Sequence, residues 1–174
     1  VTAVRVSAVC VLALSLQLTV FVDVRVLGVA PELLAMVAIL AGYFGGSQNG
    51  QVIAFGAGLL WDVYLPTHLG VSALIFAVAA HGVGSLEASL FHDSRLQRAA
   101  VVMSATVAIV LAYALSNEIL GVRGLINLRL VKVAVIAGMF NGVLSFAAAP
   151  VMRWAVPVKS DRPGGAVDFS GTRG

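Results

Sequence analysis

The sequence predicts an all-α integral membrane protein, a bundle of six helices. Three observations lead there. The 174 residues are 60% hydrophobic and only 11% charged, with a mean hydropathy of +1.00, whereas soluble domains carry about 25% charged residues. Six apolar stretches, roughly 5–22, 31–46, 51–66, 70–90, 97–120 and 131–152, each approach the length needed to cross about 30 Å of hydrocarbon. Near Lys159 the composition turns polar and rich in Gly and Pro. Residues 1–158 therefore read as one transmembrane domain, and 159–174 as a disordered cytoplasmic tail.

Each span has its own signature. The first holds a single base, Arg5, ahead of a long apolar run. No small-x-small cleavage site follows, so it reads as a retained helix rather than a signal peptide. Its Cys10 is the one cysteine of the chain, which excludes an internal disulfide framework and a Cys-based metal site. Pro31 suits the first turn of the second helix, where its missing N–H is not needed, and Glu32 complements that positive end. Only Gly46-Ser47-Gln48-Asn49-Gly50 separates the second span from the third, which predicts a tight helical hairpin. Pro66 closes the third helix and Gly70 opens the way to the fourth. Pro150 and Pro157 bracket the end of the sixth.

Small and polar residues recur on single helix faces. Gly42 and Gly46 form a pair on the second helix. Ala73, Ala77, His81 and Ser85 align on the fourth, Thr106, Tyr113 and Asn117 on the fifth, and Gly138, Asn141, Gly142 and Ser145 on the sixth. Such faces are helix–helix contact surfaces first. His81 reads alternatively as a proton relay or a ligand, but no second His lies at helical spacing, and His68 and His92 fall in loops.

Orientation follows from Lys and Arg in short loops. With both termini cytoplasmic, that side holds Arg5, Arg95, Arg98, Arg153, Lys159, Arg162 and Arg173. The outer side holds Arg25, Arg123, Arg129 and Lys132. Seven bases against four favour this topology. The net charge of +3 is spread along the chain, which fits topology-setting residues better than a nucleic-acid patch. Three acids, Glu32, Asp62 and Glu118, then fall near the outer leaflet. They read either as solvated helix ends in weak pairs or as a partly buried network that fixes packing or receives a partner.

Asp62 is the most informative of these. It lies near the end of an apolar run, and Ala54, Gly58 and Asp62 stack four apart on one face. An ionisable residue inside a span faces protein or a water-filled cavity. The small residues below it let a neighbouring helix come close. A structural role, capping or pairing with the following loop, and a ligand or ion role both remain open. Enzyme signatures are missing: there is no Gly-rich phosphate loop, no G-x-S-x-G elbow and no H-E-x-x-H pair. No catalytic, cofactor or metal site is assigned.

The pattern resembles the MreD family, the integral membrane component of the bacterial rod-shape system. The matching residues are Pro31-Glu32-Leu33-Leu34, the glycines Gly42, Gly45, Gly46 and Gly50, the run Gly56-x-Gly58-Leu59-Leu60-Trp61-Asp62, and Leu69-Gly70-x-Ser72-Ala73-Leu74 at the start of the fourth helix. The resemblance covers about residues 5–155. It departs from commoner members at Glu32, where Asp is frequent, and in the polar tail. It implies a multi-pass protein of the bacterial plasma membrane with no known catalysis. It also implies work alongside a bitopic MreC-like protein and, through it, the MreB filament, RodA and a class B penicillin-binding protein in lateral wall synthesis. A homo-oligomer stays open. The family is similar in fold to the substrate-binding S-components of energy-coupling-factor vitamin transporters, and such a binder is the alternative reading. Against it, the first helix lacks a good small-residue coupling motif, since Val9, Val11 and Leu12 are bulky.

Overall fold

A computed structural model describes residues 2–20, 29, 31–64, 69–90, 94–121 and 127–156. Five helices make up the described chain: α1 (Thr2–Thr19), α2 (Leu33–Tyr64), α3 (Val71–Leu90), α4 (Arg95–Ile119) and α5 (Leu128–Ala155). The expected second and third spans fall within α2, with the break confined to Gly46 at φ 76° and ψ 178°. The Gly46–Gly50 loop expected from sequence thus shrinks to one residue, and 47–50 are helical. Positive φ is strained for any residue with a Cβ, which is why glycine stands there.

The break folds α2 back on itself. A Cβ on Gly50 would lie 2.7 Å from the Gly42 nitrogen and 2.7 Å from the Ala41 carbonyl oxygen, so the two arms touch backbone to backbone. At 1.5 Å per residue the arms 33–45 and 47–64 are roughly 20 and 27 Å long. Three helices, α1, α4 and α5, are long and apolar enough to cross a membrane, and α3 carries a shorter apolar stretch, Val71–Glu87. These apolar helices make the chain an integral membrane protein.

The first arm of α2 is the core. Leu33 through Gly42 are all buried in succession, the mark of a helix surrounded on every side. α2 packs against all four other helices, most extensively α3, while α4 and α5 form the other close pair. α1 is peripheral. Only Cys10, Ala13 and Gln17 are buried, one stripe at helical spacing, while Val4, Val11, Leu12 and Leu16 are exposed. Such apolar outer faces are what lipid solvates.

Glycine sets the close approaches. A Cβ on Gly84 would meet the Ser47 nitrogen at 2.5 Å, and one on Gly138 the Met103 carbonyl oxygen at 2.8 Å. The expected contact face of α5 holds, with Gly138, Asn141, Gly142 and Ser145 all buried. That of α3 shifts. Ala73, Phe76, Ala80 and Val83 are buried, whereas His81 and Ser85 are exposed, because the packed face follows the residues that meet α2 rather than the small and polar stripe. Tail residues 159–174 and loop residues Arg25, Pro66, His68, His92 and Arg123 lie outside the described residues.

Candidate functional site

The buried polar groups gather where helices begin. α3 starts after Gly70, whose φ of 99° turns the chain into the helix. Its first N–H groups have no partners inside the helix. Asp62, at the end of α2 and 1% exposed, supplies them. Its Oδ2 accepts from the Gly70 N–H at 2.8 Å and the Ala73 N–H at 3.2 Å, and its Oδ1 accepts from the Ser72 N–H at 3.2 Å. A carboxylate there also meets the positive end of the α3 dipole, and bonds to an ionised acceptor are the stronger kind. Both oxygens are thus engaged by main chain.

Gly58, one turn below Asp62, makes this possible. A Cβ on it would sit 2.6 Å from the Ala73 nitrogen and 2.8 Å from the Ser72 carbonyl carbon. The absent side chain is the space that the α3 start occupies. Ala54, a further turn along, is buried as well. Gly42 plays the same part lower in the bundle, where a Cβ would lie 2.8 Å from the Ala80 Cα. Gly46 serves differently, through its backbone angle.

A second polar group sits at the start of α2. The Leu34 N–H donates to the Gln17 Oε1 of α1 at 3.2 Å. Asn141 of α5, 0% exposed, donates through Nδ2 to the Glu32 carbonyl oxygen at 3.1 Å and to the Thr106 Oγ1 at 3.3 Å. Thr106 in turn donates to the Val102 carbonyl at 2.8 Å. The structure therefore joins Glu32 to Asn141 through main chain, and places Asp62 with Gly58 at a separate junction. Glu118 lies half-buried in the last turn of α4. Of the bases that the expected topology places outside, Arg129 and Lys132 fall within the described residues and are exposed on α5. His81 bonds to Gln51 at 3.0 Å on an exposed face, away from these junctions. Among the described residues, no group of three or more His, Cys, Asp or Glu could hold a metal ion.

Sequence reasoning missed Gln17 and an arginine cluster. Gln17 was legible as the single long polar side chain on the Cys10–Ala13–Gln17 stripe. The cluster joins residues far apart in the chain: the Arg98 and Arg153 guanidinium carbons lie 5.8 and 5.6 Å from the centre of the Phe44 ring, and no local spacing signals that.

A family model described as rod shape-determining protein MreD matches residues 2–156. No curated protein and no solved structure matches the chain.

Proposed function

The chain belongs to the MreD family of rod shape-determining proteins, and from that premise we propose that it is a non-catalytic membrane scaffold of the bacterial elongation complex, supporting lateral peptidoglycan synthesis. The observation that carries the scaffold reading is the Asp62 junction. The acid that sequence marks as most informative, with a structural or a ligand role open, has its oxygens engaged by three main-chain N–H groups. Those bonds tie the end of α2 to the start of α3.

In this reading the two arms of α2 count as separate crossings, giving six with α1, α3, α4 and α5, in an arrangement of the S-component type. Support comes from the Gly46 break and the packing of Gly50 on Gly42. Both termini then lie in the cytoplasm, and 159–174 form a cytoplasmic tail. Partners are an MreC-like bitopic protein and, through it, MreB, RodA and a class B penicillin-binding protein. Nothing observed favours the vitamin-binding alternative.

The test is recovery of partners. Tagged protein purified from native membranes should carry an MreC-like protein in near-stoichiometric amount, and deletion of the gene should round the cells. Folded protein that recovers no such partner, from cells whose shape survives the deletion, overturns the scaffold reading.

A further inference from the structure

One end of the bundle collects bases. Arg95 and Arg98 occupy the first turn of α4, and Arg153 lies in the last turn of α5. They line one pocket of about 300 Å³ together with Phe146, Ala149 and Pro150. Arg5 joins them at the same end, with its guanidinium 4.7 Å over the Trp154 ring and its Nη1 donating to the Trp154 carbonyl at 3.5 Å.

We propose that this three-arginine pocket binds the phosphate of an anionic phospholipid headgroup. Four observations converge. Arg98 is 7% exposed, and its guanidinium and that of Arg153 both rest on the Phe44 ring, so their positions are set before any ligand arrives. The pocket lining brings three bases together. The first turn of α4 adds its positive helix end, which favours an anion. Position selects a lipid over a free ion. α4 and α5 are both apolar enough to cross a membrane, and the pocket lies where they end, at the headgroup level. Towards the bilayer centre it opens onto exposed Phe146, with Val143 exposed one turn along the same helix, a surface for an acyl chain. Basic pockets between transmembrane helices suit anionic headgroups in this way, and arginine forks match phosphate oxygens.

The test uses the full chain in phosphatidylcholine nanodiscs doped with phosphatidylglycerol, reading lipid retained per protein by native mass spectrometry. Phosphatidylglycerol should be enriched over its share of the disc. The double variant Arg95→Gln/Arg153→Gln, at two exposed positions, should weaken that preference about tenfold or more. The exposed bases at the other end give the control, Arg129→Gln/Lys132→Gln, which should retain the wild-type preference. Should the double variant fail to fold, Arg95→Gln alone should still reduce the preference. Equal retention of both lipids overturns the proposal, as does equal loss in the control. A thermal stabilisation by inorganic phosphate as large as that by short-chain phosphatidylglycerol would assign the pocket to a free anion and overturn the lipid.

Discussion

Removing the Asp62 carboxylate should loosen the α2–α3 junction more than any other single polar change. In Asp62→Ala, three N–H groups lose their acceptor, and two of them, on Ser72 and Ala73, are in buried bonds. Each buried donor left unsatisfied costs roughly 1–3 kcal/mol, and loss of a helix cap alone costs about 0.5–2 kcal/mol. The start of α3 can relax and share water with the part-buried Gly70 N–H, so the penalties do not add in full. An expected loss of about 3 kcal/mol follows. Asp62→Asn keeps one oxygen, which can serve the Gly70 and Ala73 N–H groups together, while its amide nitrogen faces the Ser72 N–H as donor against donor. The expected loss there is about 1–2 kcal/mol. Thermal unfolding of detergent-purified protein should rank wild type above Asp62→Asn and Asp62→Ala lowest. Rod growth should fall in the same order, in proportion to folded protein. Asp62→Ala as stable as wild type would refute the cap. A well-folded but inactive Asp62→Asn would refute the structural role and give Asp62 a direct functional one.

Other substitutions test the remaining contacts. Gly58→Leu should destabilise by about 3 kcal/mol, since its Cβ alone would lie 2.6 Å from the Ala73 nitrogen and overpacking displaces backbone; thermal unfolding checks this. Asn141→Ala should cost only about 1 kcal/mol or less, because the Glu32 carbonyl still accepts from the Met36 N–H at 3.0 Å and Thr106 keeps its bond to Val102 at 2.8 Å; a larger loss would show that Asn141 holds more than these two groups. Cysteines at Ser47 and Asp93 should label from the cytoplasm, and those at Arg25 and Arg123 from outside; the reverse pattern would invert the proposed topology. Truncation after Val158 should leave insertion and detergent stability unchanged, and loss of accumulation would show that the tail packs or binds.

How much was legible in the sequence depended on range. The helices were legible because apolar runs bounded by Pro, Gly and charge are local signals. The α5 face of Gly138, Asn141, Gly142 and Ser145 was legible because helical spacing fixes which residues share a side. The stack of Ala54, Gly58 and Asp62 told which face meets a neighbour, and the loop was among the partners it suggested for the acid. It did not tell that every described acceptor contact would go to main chain at the α3 start. The Gly46 break was harder: five loop-prone residues in a row suggest an open turn, but packing of Gly50 on Gly42 lets the helix resume after one residue. His81 looked like part of a contact face because Ala73, Ala77 and Ser85 share its spacing, yet α3 rotates to bring Phe76 and Ala80 onto α2 instead. Spacing fixes relative positions on a helix and leaves its rotation to the tertiary contacts.

The two remote caps share one physical cause. A helix that begins inside a membrane bundle cannot leave its first N–H groups to water, so another segment must supply acceptors. Here the preceding helix does so each time: Gln17 of α1 accepts from Leu34 at the start of α2, and Asp62 of α2 accepts from the start of α3. Each bond also fixes the end of one helix to the beginning of the next, so order is passed along the chain from α1 to α3. Asn141 then ties α5 to the Glu32 carbonyl at the same start of α2. Gln17, Asp62 and Asn141 each join two helices of the bundle in this way. What α1, α4 and α5 present outward is mostly apolar side chain, among it Val11, Leu12, Leu115, Val131 and Val143. Lipid thus meets apolar side chains, while the buried polar groups Gln17, Asp62 and Asn141 are used between helices, as the proposed scaffold role requires.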